Sequence, residues 1–319
     1  MGKIKIGIVG AGIIGIDHKR AILKNEDCTL VSVCDLVRGK ANELAEDTGA
    51  KTYTDYKKMC EEETLDAVIL NLPHFLHKEV SIYFLERKIA VLCEKPMAIN
   101  TKECDEMTKA AQRNNTKLAI GHVQRYFNSY KKVKEIIKTQ KFGKLCQMIE
   151  IRNINYFTEA RPKWFLTKKL SGGGIIMNYG AHSLDKFSYL TQLKIEKVSA
   201  SGNNFISDDD VEATAQMLVT YEGGVTAMCS YCGTKTNGQH EIYFYFTNGA
   251  VKIEEGGHKM YVCEGVNEYE EVEIESTDIF ADQLEEFVKL LKNEESNVAT
   301  PEFSREIVGA LTEAVSQIL

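Results

Sequence analysis

The 319-residue chain is predicted to be an α/β protein in two parts, a doubly wound parallel sheet followed by an α+β domain. Two observations carry that prediction. From residue 3 to 121, short and continuously apolar runs alternate with helical patterns, which indicates a parallel sheet covered on both faces. Beyond Gly121 the strands lengthen and alternate. In VEATAQMLVTY (211–221), Val211, Ala213, Ala215, Met217 and Val219 share one face, whereas Glu212, Thr214, Gln216 and Thr220 share the other. Such alternation belongs to an antiparallel sheet with two unlike faces, so a second domain is expected from 122 to 319, after a first domain over 1–121.

Taken in order, the expected elements are IKIGIV and a helix from about 13, TLVSVC and a helix over 38–48, DAVILNL and a helix over 77–87, IAVLC and a helix over 101–114, then KLAIG. A helix over about 127–140 opens the second domain. Two amphipathic helices finish the chain, one with Phe280, Leu284, Phe287, Val288 and Leu291 on a stripe, the other with Phe303, Ile307, Leu311, Ala314 and Ile318. Pro301 suits the first turn of the last helix, about 301–319, which is a candidate to pack back on the first domain.

The net charge of −7 provides no basic field for nucleic acid or an anionic membrane. The amino terminus runs straight into a strand pattern without a leader-like apolar core, so a cytoplasmic protein is expected. Nine cysteines, an odd number, then imply reduced thiols. Cys229 and Cys232 have CxxC spacing, but they lie in a strand pattern on opposite sides and nothing nearby completes a ligand set, so no metal is expected.

Gly10, Gly12 and Gly15 in GAGIIG stand directly between the first strand and first helix, flanking Ile13 and Ile14. In that context GxGxxG predicts a dinucleotide site: a tight turn, close approach of a pyrophosphate, close helix–strand packing, and negative charge received at the helix start. Asp35 ends the second strand at the position where a carboxylate accepts hydrogen bonds from an adenosine ribose and repels a 2′-phosphate, so NAD is favoured over NADP; Arg38 softens that preference. Leu72, Pro73 and His74 leave the third strand on the same carboxyl edge and are expected to line the nicotinamide side. His77 and His18 read as structural residues of helices.

Two further segments carry chemistry. In CEKPMAIN (93–100), Lys95 follows a buried strand at the sheet edge, where an ammonium is costly to desolvate and so points to a chemical task; Glu94 offsets charge or caps backbone, and Pro96 restricts Lys95 to extended backbone. In SGGGIIMNYGAHSLD (171–185), three glycines precede a helix on which Asn178 and His182 share a face, with Asp185 one turn from His182. A histidine so placed can carry the proton that moves when a hydroxyl becomes a carbonyl.

Together GAGIIG, CEKP and SGGGxxxNxGxHxxD resemble the glucose-fructose oxidoreductase and inositol dehydrogenase family (Gfo/Idh/MocA) along essentially the whole chain. The resemblance implies a Rossmann domain followed by a domain with a large, mostly antiparallel sheet. It also implies hydride exchange between a nicotinamide and a sugar, cyclitol or related polyol, and homodimers or homotetramers formed through the outer face of that sheet. It assigns Lys95 to the reacting hydroxyl and His182 to general acid/base work. Asn178 stands where many members have aspartate; an amide can hydrogen-bond but cannot stabilise an imidazolium by charge. Arg125, Tyr126, Arg161 and Trp164 are candidates to contact substrate, as forked donors and aromatic platforms. With Lys163, Lys168 and Lys169 they also leave open a phosphorylated, nucleotide-linked or acidic sugar. The reading from another class is a nicotinamide-binding sensor without turnover.

Overall fold

The computed structural model describes residues 2–319. The chain divides into two compact units, one of residues up to Val123 with Asp278–Arg305, the other of Gln124–Thr277 with Glu306–Leu319.

The first unit contains β1 (Ile4–Val9), α1 (Ile13–Lys24), β2 (Cys28–Cys34), α2 (Arg38–Ala45), β3 (Lys51–Tyr53), α3 (Tyr56–Glu62), β4 (Ala67–Leu70), α4 (His74–Leu85), β5 (Ala90–Glu94), α5 (Thr101–Arg113) and β6 (Leu118–Gly121). Its strands pair in parallel in the order β3-β2-β1-β4-β5-β6, so the strand order reverses between β1 and β4, where such sheets bind ligands. Ile6, Ile8, Val33, Val68, Ile69, Val91 and Leu92 are essentially inaccessible, as strands covered on both faces require.

Two elements lie outside the sequence expectation. β3 has three residues, too few to show a period, and α3 is announced only by its cap, the Asp55 carboxylate accepting the Lys57 N–H at 2.8 Å. α4 also starts at His74 rather than 77, because Pro73 occupies its N-cap position.

The second unit contains α6 (Asn128–Thr139), β7 (Leu145–Asn153), α7 (Lys168–Ser171), α8 (Ala181–Thr191), β8 (Ile195–Asn203), β9 (Thr214–Tyr221), β10 (Thr226–Cys232), β11 (Gln239–Phe246), β12 (Gly249–Glu254), β13 (Lys259–Glu264) and β14 (Glu270–Val272). The sheet order is β14-β13-β12-β11-β7-β10-β9-β8, antiparallel except for the β7/β10 pair. One face is the core: Met148, Met217, Val219, Cys229, Tyr231, Ile242 and Phe244 are buried, and Phe187 of α8 meets Phe244 edge-on at 6.0 Å. On the opposite face, paired positions place Leu218, Met228, Ile149, Tyr243, Lys252 and Tyr261 in one row across six strands. Cys229 is buried in the core face, while Cys232 on the other face lies 3.1 Å from the Thr234 hydroxyl; all nine cysteines are free thiols.

α9 (Ile279–Leu291) belongs to the first unit, although the sequence pattern grouped everything after 122 together. Its stripe of Phe280, Leu284, Phe287 and Val288 joins the core formed by Ile6, Ile8, Ala21 and Leu30, and Arg20 and Lys24 of α1 both reach Asp278 at its N-cap. α10 (Pro301–Ser316) has its first turn in the first unit, with Arg305 paired to Asp105, and its remainder in the second.

Candidate active-site residues in the two units

In the first unit the glycine turn has the form a dinucleotide needs. Gly10 adopts φ +99°, and a Cβ there would lie 2.3 Å from the Asn71 carbonyl; a Cβ on Gly15 would lie 2.9 Å from the Gly10 carbonyl. A Cβ on Gly12 would meet nothing within 4 Å, which is the open approach required beside a helix start that no side chain caps. Ile13 and Leu36 are strongly exposed and Ile14 partly so, an apolar rim unusual for a free surface. The Asp35 carboxylate is fixed by two backbone donors, Ala11 N–H at 2.9 Å and Val37 N–H at 2.8 Å, and retains lone pairs for further donors. Arg38 reaches away, with long contacts to the Thr52 carbonyl (3.4 Å) and the Thr54 hydroxyl (3.5 Å).

The Lys95 loop leaves β5 on the same carboxyl edge. The Lys95–Pro96 peptide bond is cis, and the Lys95 N–H faces the Glu94 carboxylate at 3.3 Å. Two histidines read from sequence as helix residues brace this loop. His18 Nε2 lies 3.0 Å from Glu94 Oε1, and its ring packs edge-on against Phe280. His77, fully buried, places Nδ1 2.9 Å from the Pro96 carbonyl and Nε2 2.8 Å from the Leu72 carbonyl. It therefore joins the two segments predicted to line the nicotinamide side and to carry the lysine. Burial pulls the His77 pKa down while both carbonyls pull it up; a neutral ring can donate to only one of them. His74 is buried beside His77, ring centroids 5.8 Å apart.

In the second unit the glycine loop is held by a residue the alternating pattern assigned to the polar face, opposite Val211 and Ala213. Glu212 is fully buried, because the backbone leaves the strand before β9 begins at Thr214. Its carboxylate accepts the N–H groups of Gly174 (2.9 Å) and Ile176 (2.7 Å). A Cβ on Gly174 would lie 2.3 Å from the Glu212 carbonyl, which explains a glycine at that position. The segment Ile176–Gly180 is a π-helical turn rather than the start of an α-helix, and it carries Asn178; α8 with His182 follows. Single π turns inside helices recur at functional sites. Asn178 is buried, and its amide donates to the Tyr156 hydroxyl at 3.5 Å.

The substrate candidates fall into two groups. Arg125 forms a buried ion pair with Asp185 (2.6 Å) and lies 4.6 Å from the centroid of the Tyr189 ring, bracing α8; Tyr126 is buried near it in sequence. Arg161 donates to the Tyr156 carbonyl and stacks on the Tyr156 ring at 3.8 Å, while Trp164 stacks on Phe165 at 3.7 Å. Arg161 thus touches the same tyrosine that meets Asn178.

Beneath the sheet's core face is a charge cluster with no local sequence signature. Glu150 of β7 meets Lys186 of α8 at 2.8 Å and His240 of β11 at 2.7 Å. Burial by itself would raise the carboxyl and lower both cationic groups; the contacts oppose this, and Glu150 ends well below the usual carboxylate range, while burial keeps His240 below its ordinary value. Tyr156, Glu212 and this cluster escape a sequence reading because their partners lie 18 to 90 residues away.

A chain with this pair of folds and a dinucleotide turn belongs to the Gfo/Idh/MocA oxidoreductases: the family's "NAD-binding Rossmann fold" model matches residues 4–122, and its C-terminal domain model matches 130–252. The turn geometry therefore binds NAD, and the chain is an oxidoreductase. It is 28% identical over 263 residues to a 2,7-anhydro-N-acetylneuraminate hydratase of Mediterraneibacter gnavus, covering 80% of this chain and 68% of that one. It is 26% identical over 248 residues to a myo-inositol 2-dehydrogenase of Thermotoga maritima, covering 76% and 70%. A crystal structure of an NAD binding oxidoreductase from Klebsiella pneumoniae shares the fold, with TM-score 0.88, 18% identity and coverage of 99% and 97%. Among the described residues no helix is long and apolar enough to cross a membrane, and no cluster of side chains could hold a metal.

Proposed function

We propose that this chain is an NAD-dependent dehydrogenase acting on a secondary alcohol of a sugar, cyclitol or related polyol. The observation that carries the proposal is the His77 bridge, which ties the Leu72 segment to the Lys95 loop at the carboxyl edge bearing the dinucleotide turn. A lysine fixed beside a nicotinamide site has a hydroxyl or carbonyl oxygen as its natural partner. The related inositol dehydrogenase supports the substrate class, and the family model supports the oxidoreductase reaction.

When bound, the cofactor supplies the hydride acceptor. The remaining work falls to this chain. Lys95 binds the substrate oxygen through an ammonium N–H and stabilises the negative charge that grows on it as its proton leaves. His182 takes that proton, beginning neutral in the direction of oxidation and protonated in the direction of reduction. Asn178, anchored to Tyr156, orients substrate through its amide. Arg161 borders the same tyrosine and, with Trp164, faces the sugar; Arg125, committed to Asp185, sets the position of α8.

The same reading places the chain in a reducing compartment, the cytoplasm, in keeping with nine free thiols. It also makes the chain a homo-oligomer through the outer sheet face, where Leu218 and Met228 remain exposed at one end of the cross-strand row. Replacing Met228 with glutamate should shift the sedimenting species toward monomer.

The function is tested by supplying a panel of free, phosphorylated and acidic sugars and cyclitols with NAD and following the absorbance of reduced nicotinamide. Turnover with at least one polyol is expected. NAD binding without reduction by any of them would favour a sensor.

A further inference from the structure

Arg152 has no counterpart in the sequence motifs, yet its surroundings are those of a ligand-binding guanidinium. It lies on the core face of β7, paired with Tyr231 of β10 and His240 of β11. Its guanidinium stacks on the Tyr179 ring at 3.9 Å, and Tyr179 is the residue after Asn178. Among the described residues no carboxylate forms an ion pair with it, and its Nη1 is buried without a hydrogen-bond partner. A buried charged donor left in that condition is costly, so the orphaned Nη1 needs an explanation.

The nearby acids are already engaged. Glu150 is taken by Lys186 and His240, Glu254 by Lys252, and Glu241 accepts the Tyr243 hydroxyl at 2.8 Å. Glu241 and Glu254 pair with each other across β11 and β12 and line the same cleft as Arg152, but the Tyr243 hydroxyl and Lys252 already occupy their carboxylates. That cleft, of about 480 Å³ at the ends of β7, β11 and β12, is lined also by Asn153, Gln239 and His240, and among the described residues Arg152 is the one arginine or lysine in its lining. Asn153 donates to Gln239 at 2.9 Å, which positions two amides on the cleft wall.

We infer that Arg152 is a specificity residue that binds an anionic group, carboxylate or phosphate, on the substrate. A planar guanidinium held over an aromatic ring keeps its N–H groups for other partners, and a forked pair of donors suits a two-oxygen anion better than a neutral hydroxyl. This rests on the oxidoreductase reading and narrows its substrate class to acidic or phosphorylated polyols. It also moves the anion contact from the basic segment 161–169 to β7.

The test is calorimetric titration of the NAD-loaded protein with glucose, glucuronate and glucose 6-phosphate. One of the two anions should bind at least ~10-fold more tightly than glucose, the scale of one charge-assisted fork, and which one wins separates carboxylate from phosphate. Arg152→Gln should reduce the preference to within ~3-fold, Arg152→Lys should keep part of it, and Lys163→Gln should keep all of it. Inorganic sulfate should compete with the anionic probe in the unaltered protein, a readout that does not depend on any variant folding.

Equal binding of glucose and both anions, no binding of either anion, or a preference that survives in folded Arg152→Gln would overturn the assignment. Reduced-nicotinamide absorbance in the same samples separates the two readings. Oxidation of a neutral polyol without anion preference removes the Arg152 site and leaves the dehydrogenase. Arg152-dependent anion binding without turnover of any sugar does the reverse.

Discussion

The two units build polar sites by opposite means. In the first, backbone does most of the work: the turn after β1 is set by Gly10 and Gly15, Asp35 is fixed by two backbone N–H groups, and His77 bridges two carbonyls. In the second, charged side chains from distant strands and helices meet in the interior, as Glu150, Lys186 and His240 do, or clamp a loop, as Glu212 does. A backbone-built site tolerates surface change and is sensitive to glycine replacement. A site built from buried charge is sensitive to loss of any one partner, because the survivor is stranded in low dielectric.

The largest expected effect lies in the second unit. Lys186→Met leaves Glu150 without its main partner and should destabilise the protein by about 3–5 kcal/mol in denaturant titrations, whereas Lys186→Met with Glu150→Gln should recover much of the loss. Full stability of the single variant would show that the buried pair does not hold the unit together.

The same cluster predicts a pH dependence. Glu150 is held below its unfolded value and so contributes stability that is present above about pH 4.3 and lost as pH falls below it; His240 is also held below its unfolded value, so the unfolded chain binds the extra proton below about pH 6.5. Both signs agree: the denaturation midpoint should be flat above neutrality and fall on acidification, in a first step near 6.5 that His240→Gln removes.

Next in size is Lys95→Met in the first unit. Turnover should fall at least ~100-fold while NAD titrates normally, since the stem volume remains and the ammonium is gone. Unchanged turnover would leave the Lys95 loop a structural feature only. Asp35→Ala should weaken NAD binding by ~1–3 kcal/mol and improve relative tolerance of NADP, and an unaltered cofactor ratio would remove Asp35 from ribose recognition.

The smallest effect is a displacement along the pH axis. Asn178→Asp adds a carboxylate on the segment leading to His182 and favours imidazolium, so the acidic limb of the kcat/KM profile for oxidation should move to higher pH by about one unit. His182→Ala should abolish that movement. A profile identical to wild type would uncouple the two residues and leave Lys95 as the main proton-handling group.

How far each unit could be read in advance follows from the same contrast. The glycines and the apolar runs act on their own neighbours in sequence, so most strands and helices of the first unit were legible; β3 and α3 were too short to show a period, and strand order, the start of α4 and the return of α9 were not encoded locally. In the second unit the period of two revealed the sheet faces but misplaced Glu212, since periodicity describes a regular strand and 211–213 precede one. His18 and His77 read as helix residues for a similar reason: the helix pattern locates them, while the carboxylate and carbonyls they meet come from β5 and the loops beyond it.

The sequence by itself determined the local outcomes: where chain reversals fall, which faces are apolar, which residue types stand at the helix start and strand ends. Tertiary structure alone decided which distant groups share an interior. That α9 returns to the first unit, that Arg125 is claimed by Asp185, and that Arg152 stacks on Tyr179 all depend on packing between segments tens of residues apart. Backbone preferences act over a few residues, whereas desolvation and charge pairing depend only on distance in space, and no spacing along the chain encodes that distance.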